Sequence, residues 1–369
     1  MKVGIITFHD NYNFGAALQC ASLNEVLRRE GREVEVIDYS VFNTQRSLLK
    51  GWGFRRYGPI RALKKRVSDL RFGQSTVQNF QRFRDRYWSL SPRCQTAEEV
   101  AELSERYTHV IAGSDQIWRF DRPGPYFLEL GEGFEGVKAT YAPCCTSSDQ
   151  PSFQNAMVKE WLGEIDRLSV RNQFSYDLIL ELTGKKAAIV ADPTLLIDLN
   201  DDKAGLEEVD LPPEYILTYV IGSQPKGGMA RVIQRAREVH GSVPVVAVRV
   251  TLDGFADAEW ADLVLDGMGP FEWTQLIMRA KFFITDSFHG VIFAVKKETP
   301  FLAYFSEEWR SPRLTDLRDR YLLGNRITND LGQFPDEGYF EGRTPEMVNA
   351  IAEHREFSMN YLTSIFKTA

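Results

Sequence analysis

The sequence predicts an α/β chain folded as two Rossmann-like halves, and three observations lead there. Short apolar, strand-like runs alternate with helical patterns, the arrangement that builds a mostly parallel, doubly wound sheet. The series runs twice, and a polar stretch, DLNDDKAGLEEVDLPPE from Asp198 to Glu214, separates the two runs as a linker would. The chain is also 369 residues long, more than one hydrophobic core ordinarily organises, with 43% hydrophobic and 12% aromatic residues to fill two.

In the first half, strands are expected at 2–7, 33–38, 109–112 and 138–142, with helices at 16–29 and near 96–105. In the second, strands are expected at 215–221, 244–250, 282–286 and 301–305, with helices at 229–240, 271–280 and 291–297. The boundaries that follow are a first lobe over 1–196, a second over 197–344, and a last amphipathic helix in 345–369 that would cross back to the first lobe.

The window with the most chemistry is KFFITDSFHGVIFAVKKETPFLAY, Lys281 to Tyr304. Its strand runs straight into Asp286, Ser287, Phe288, His289 and Gly290, and a helix starts there. In open α/β sheets that edge binds ligands, because a helix N-terminus offers unpaired N–H groups and a dipole that favours anions. On position alone His289 reads equally well as a structural hydrogen-bonding residue or as a proton carrier. Asp286 would orient His289 or act as a base, and an aspartate closing a strand is as often a helix cap.

Three other segments put polar groups at predicted strand ends. His9, Asp10, Asn13 and Gly15 lie in the polar loop after the first strand; Gly15 permits close backbone approach, and Asn13 is a natural helix cap. Asp115, Gln116 and Trp118 follow the 109–112 strand; Trp118 reads as core or as a stacking platform for a sugar, with the other two supplying hydroxyl contacts. Arg171 precedes a short helix and suits a carboxylate partner or an anionic ligand.

The net charge of −7 is unevenly spread. From Arg46 to Arg93 there are 13 Lys/Arg against 2 acids, hence +11, which leaves −18 elsewhere. Aromatics interleave these cations (Trp52, Phe54, Tyr57, Phe72, Phe80, Phe83, Tyr87, Trp88), as in a helical insertion that packs on its domain or lies on an anionic membrane. The acidic remainder, and the lack of any zinc-finger, RRM or KH pattern, argue against nucleic acid. The four cysteines (Cys20, Cys94, Cys144, Cys145) form no C-x-x-C pair and no histidine stands at zinc-ligand spacing, so reduced thiols and no metal are expected. The GEGFEG stretch, with Gly131, Gly133 and Gly136, satisfies a dinucleotide-fingerprint pattern but reads as a strand-to-strand turn with no helix behind it. MKVGIITF passes at once into polar residues, so the expectation is a cytosolic protein, peripheral at most to the inner face of the membrane.

Taken in order, NFGAALQ, GSDQIW, LSVR followed by LTGK and DPTLL, and TDSFHG followed by TPFLAY resemble the polysaccharide pyruvyl transferase family over nearly the whole chain; Arg313 and the LGNR run near it extend the likeness. The resemblance implies a two-lobed fold like that of GT-B glycosyltransferases, with acceptor and donor divided between the lobes. It implies transfer of a pyruvyl group from phosphoenolpyruvate to two hydroxyls of a sugar in a cell-surface polysaccharide or its lipid-linked precursor, giving a ketal without cofactor or metal. His289 would act as general acid or phosphate donor, with Arg171, Ser287, Gly290 and Arg313 around the phosphoenolpyruvate. The acceptor would face His9, Asp10, Asn13, Gly15, Asp115, Gln116 and Trp118.

One departure matters. Better-known members that this chain resembles carry an arginine in the slot of Ser287. A charge-assisted hydrogen bond is worth about 1.5–3 kcal/mol, so its loss weakens donor binding about ten- to a hundredfold unless Arg313 or Lys281 compensates. Two further readings therefore stand beside pyruvyl transfer: a glycosyltransferase-like enzyme using a nucleotide sugar, and a non-catalytic binding protein on the same fold.

Overall fold

The computed structural model describes residues 1–40, 74–118, 124–145, 156–199, 209–222, 225, 228–249, 258–305, 311–329 and 342–367. The first half contains β1 (Lys2–Ile6), α1 (Phe14–Arg29), β2 (Glu33–Val36), α2 (74–87), α3 (Ala97–Ser104), β3 (His109–Ala112), β4 (Val137–Thr140), α4 (Ala156–Gly163), β5 (Ser169–Val170), α5 (Gln173–Thr183), β6 (Ala188–Ile189) and the single turn α6 (Pro193–Leu196). Its four-stranded sheet runs β2-β1-β3-β4, all parallel, with Ile5 in register with Val36 and Ile111. β3 is buried along its whole length, as a parallel strand covered on both faces must be.

The second half contains β7 (Ile216–Tyr219), α7 (Met229–His240), β8 (Val245–Val248), β9 (Leu263–Leu265), α8 (Pro270–Arg279), β10 (Phe282–Thr285), α9 (Phe288–Lys297), β11 (Phe301–Tyr304), α10 (Ser311–Arg320) and β12 (Ile327–Thr328). These strands form one parallel sheet in the order β12-β11-β10-β7-β8-β9. Numbered within the lobe, that is the 3-2-1-4-5-6 order of a dinucleotide-fold sheet, which reverses between β7 and β10. The corresponding reversal in the first sheet falls between β1 and β3. Ligands bind outside the carboxyl ends of strands at such points, so the loops after β1, β3, β7 and β10 define the functional edge.

The two sheets share a helical middle. Phe14 of α1 stacks between Phe80 of α2 and Trp273 of α8, at ring-centroid distances of 5.6 and 5.4 Å. The described part of the basic segment is therefore a strap. Phe80, Phe83, Tyr87 and Trp88 are buried, Phe83 packs on Phe271 at 4.8 Å, and Asn79 Nδ2 and Arg82 Nη2 donate to Gly267 O and Glu272 Oε1 of the second lobe. The membrane-facing reading fails for these four aromatics because they fill the core; Trp52, Phe54, Tyr57, Phe72 and the cations between 46 and 71 lie outside the described residues.

The last helix, α11 (Pro345–Ser364), lies on the first lobe. Tyr361 Oη donates to Thr140 O, Ala191 N donates to Ser358 Oγ, and Leu362, Ile365 and Phe366 join Val3, Ile5 and Ile111 in one apolar cluster. On the opposite side Lys296 of α9 donates to Thr194 O at 2.6 Å and to Ile197 O, tying the second lobe to α6.

The sequence pattern misplaces a few elements. The 126–130 run, the strand implied before the GEGFEG turn, is a 3-10 turn (Gly124–Phe127) and a loop in which Leu128 adopts φ 62°, outside strand geometry. β9 and β12 are too short to show a period, and polar α10 has little apolar stripe. All four cysteines are buried free thiols. Among the described residues no helix is long and apolar enough to cross a membrane.

Candidate active site

In the first lobe Gln19 joins the two loops at the reversal point: its Nε2 donates to Thr7 Oγ1 at 3.1 Å and its Oε1 accepts from Ser114 N at 3.0 Å, while Thr7 Oγ1 donates to Ser114 O. The β1 loop ends at Asn13, whose Oδ1 accepts from Ala16 N and starts α1. After β3, Asp115 adopts φ 78°, a conformation that turns the chain back, and its Oδ1 accepts from Gln116 N.

In the second lobe Asp286 does not touch His289. Its two carboxylate oxygens accept from Ile221 N at 2.6 Å and Gly222 N at 2.7 Å, so it clamps the β7 loop to the β10 loop across the reversal point. Ser287 is the N-cap of α9, its Oγ accepting from Gly290 N at 3.1 Å. Gly290 packs so tightly that a Cβ there would stand 2.7 Å from Thr285 Oγ1. Phe288 and His289, the first residues of α9, are thereby delivered to the first lobe.

There they meet a buried charge cluster. Arg171 Nη1 donates to Asp192 Oδ2 at 2.8 Å, its Nη2 donates to Cys144 Sγ at 3.0 Å and lies 3.4 Å from Asp115 Oδ1, and its guanidinium lies 4.2 Å from the Phe288 ring centroid. His289 Nε2 stands 3.4 Å from Asp192 Oδ2. The ring's other side faces α1: a Cβ on Gly15 would fall 2.1 Å from His289 Nδ1, so only glycine admits the imidazole at this distance.

Electrostatics keep the Asp192–Arg171 pair at its centre ionised. Burial is the largest influence on Asp192 and opposes its charge, yet the facing His289 and Arg171 and the bonds from Thr194 hold it well below the usual carboxylate range. Burial likewise works against the Arg171 cation, and the Asp192 and Asp115 carboxylates, with the hydrogen bond to Asp192, outweigh it. The Cys144 thiol is pushed up by burial, against the opposing charges of Arg171 and Arg313, so it serves as a neutral acceptor rather than a nucleophile.

Of the residues singled out in the sequence, Gly15, Asp115, Arg171, Phe288 and His289 converge on this junction, and Arg313 stands near enough for its charge to act on Cys144. Others do not reach it as expected. Trp118 is fully buried, its Nε1 donating to Tyr126 O, so it is core and not a sugar platform. His9 is braced between Thr7 O and Asp38 Oδ1, both at 3.2 Å. Lys281 sits at the opposite end of β10 and pairs with Glu214 at 3.0 Å, so it cannot replace the arginine missing at Ser287. Asp10 lies 3.9 and 3.7 Å from Arg84 and Arg93 on the rim of the β1 loop.

Asp192 is the residue the sequence reading passed over. In DPTLL it looks like a helix cap, and it is one: Oδ1 accepts from Thr194 N and Thr194 Oγ1. The available signal was the need of a buried arginine for a carboxylate.

Two parallel sheets meeting across helices, with the strand-end loops of both facing one junction, define a GT-B-like protein. Solved structures bear this out at the level of fold. UDP-GlcNAc 2-epimerase from Methanocaldococcus jannaschii superposes with a TM-score of 0.53 at 11% identity, covering 99% of this chain and 100% of that one. Arabidopsis thaliana UGT89C1 complexed with UDP-L-rhamnose gives 0.51 at 14% identity, covering 97% and 94%, and UDP-N-acetylglucosamine 2-epimerase from Rickettsia bellii gives 0.50 at 9%, covering 98% and 96%. No curated protein matches the sequence. Residues 13–305 match the family model of polysaccharide pyruvyl transferase, and the chain belongs to that family.

Proposed function

We propose that the protein transfers a pyruvyl group from phosphoenolpyruvate to two hydroxyls of a glycan or its lipid-linked precursor, with His289 as the proton carrier. One observation carries this reading: NFG, GSD, SVR, DPT and SFHG lie far apart in sequence, yet Gly15, Asp115, Arg171, Asp192 and His289 meet at one junction on the functional edge of both sheets.

The reaction needs a proton delivered to the donor's methylene carbon while an acceptor hydroxyl oxygen bonds to the adjacent carbon. Phosphate then departs with the C–O electron pair, and the second hydroxyl closes the ketal; one hydroxyl proton ends on the new methyl group and the other on phosphate. His289 is suited to shuttle those protons, and the N-termini of α1 and α9 favour the anionic donor. In this reading Arg313, whose charge reaches Cys144, would offset the arginine missing at Ser287. Arg171 has a different part: neutralised by Asp192 and Asp115, it shapes the site and orients Phe288 instead of gripping the donor. His9, Asp10, Asn13 and Gln116 line the acceptor loops, and Asp286 holds the donor-side loops in register.

The neutralised Arg171 and the serine at 287 also favour a second reading, a nucleotide-sugar donor on the same frame. Calorimetric titration of the protein with phosphoenolpyruvate and with a UDP-sugar separates them. Phosphoenolpyruvate binding that weakens in Arg313→Ala, with pyruvyl transfer lost in His289→Ala, is the expected result. Binding of the UDP-sugar alone sinks the first reading.

A further inference from the structure

The surroundings of His289 single out one carboxylate. Asp286, its neighbour in sequence, has both oxygens occupied by the backbone N–H groups of Ile221 and Gly222. Asp192, 97 positions away, is immobilised instead: Thr194 holds Oδ1, while Arg171 and, at 3.5 Å, Ser114 Oγ approach Oδ2. Every one of those fixing groups belongs to the first lobe; among the described residues of the second lobe, His289 is the one that approaches Oδ2. Its Nε2 is buried and has no hydrogen bond within ordinary geometry, at 3.4 Å from that oxygen. A contact of this length needs only a small movement of α9 to close, as catalytic hydrogen bonds often do when substrate binds. On its other side the ring packs on Gly15, occupying the space a Cβ would need, and Nδ1 is the nitrogen not directed at Asp192.

We infer that Asp192 is the positioning residue for His289: from the opposite lobe it selects the Nε2–H tautomer, which makes Nδ1 the proton-transfer atom and completes the pair only when the two lobes are apposed. A fixed carboxylate accepting from one ring nitrogen leaves the other free to exchange a proton. Splitting the pair between lobes ties proton transfer to closure, so substrates that fail to bring α9 against the first lobe meet a misoriented imidazole. This inference rests on the reading of His289 as the proton carrier.

The test uses the full chain, 15N-labelled at its five histidines, with His289 assigned by comparison with His289→Ala. The expected spectrum shows His289 as the Nε2–H tautomer, and Asp192→Asn disturbs that preference. In pyruvyl transfer, Asp192→Asn lowers kcat at least about tenfold with little change in KM, part of the 10²–10⁴ that acid–base catalysis supplies, and causes no further loss in a His289→Ala background. Gly15→Ala leaves the Thr194 and Arg171 bonds intact but displaces the ring, so it must disturb the same signal even if Asp192→Asn folds poorly. A wild-type Nδ1–H tautomer overturns the inference, as does an Asp192→Asn loss of equal factor with and without His289. A wild-type protein inactive with phosphoenolpyruvate sinks the donor reading and leaves the tautomer result to decide the inference separately.

Discussion

Two histidine–aspartate pairs among the described residues do opposite things. His9 and Asp38 stand 3.2 Å apart within the first lobe, and the other ring nitrogen of His9 faces Thr7 O at the same distance. Both nitrogens are engaged, so the ring braces the β1 loop. His289 and Asp192 are 3.4 Å apart across the lobes, and the second nitrogen faces a glycine. A histidine with a nitrogen to spare can exchange protons with a ligand; one held at both ends keeps a loop in shape. Residue types are the same and both rings are buried, although Asp38 is more exposed than Asp192; the partners of the far nitrogen make the difference.

The sharpest way to break this contrast is to remove each ring. His289→Ala should lower kcat about 10²–10⁴-fold while the protein stays folded by circular dichroism. His9→Ala should instead cost about 1–3 kcal/mol in a urea unfolding curve, since it removes the ring that braces Thr7 O and Asp38, and should act on the acceptor's KM before kcat. A kcat collapse in His9→Ala with unchanged stability would erase the distinction.

The carboxylates beneath the two rings differ in what they hold. Asp192 pairs with Arg171, both fully enclosed, so Arg171→Ala leaves a buried charge unmatched and should cost about 3–5 kcal/mol of stability. Asp38 is also held below the usual carboxylate range: burial opposes this, and the His9 bond and charge, followed by Arg93, outweigh it. Both carboxylates are ionised in the folded state at pH values where the unfolded chain takes up protons. Stability from this source is therefore present above about pH 4 and lost as pH falls below it. Asp192→Asn should flatten that acid limb. Lys296 adds an alkaline counterpart: burial pushes it down to about 8, so between pH 8 and its unfolded value the unfolded chain binds more protons and stability rises with pH. Loss of that rise in Lys296→Met is the check.

The smallest effect separates the cap from the catalyst. Ser287→Ala removes the α9 cap and should cost about 1 kcal/mol with a modest change in kcat, whereas a loss as large as that of His289→Ala would mean that the hydroxyl touches substrate.

Most of the architecture was legible because it follows from local rules. Strand β3 and helix α7 lie where the pattern places them, since a continuous apolar run and a 3.6-residue stripe each leave one buried arrangement open. Asn13 announces itself as a cap by residue type, whereas the cap expected at Asp286 falls one residue later, on Ser287, because Asp286 is taken up by the β7 loop. Trp118 misled because an aromatic beside polar residues looks the same whether it faces a sugar or the core; stacking on Phe127 at a centroid distance of 6.2 Å decided it. The aromatics of the basic segment misled likewise, since charge patterning says where cations are and not what the rings between them touch.

By itself the sequence determined the repeated α/β series, the strand-to-helix loops that carry Gly15, Asp115, Arg171 and His289, and the family those blocks resemble. These are properties of short segments, governed by backbone sterics, hydrophobic period and capping. Only the tertiary structure decided which carboxylate meets His289. Asp286 is 3 positions away and faces the β7 loop; Asp192 is 97 positions away and faces the ring. The reason is that parallel sheets gather their functional groups at strand ends from distant segments, and packing of α1 against α8 and α9 sets which ends face one another.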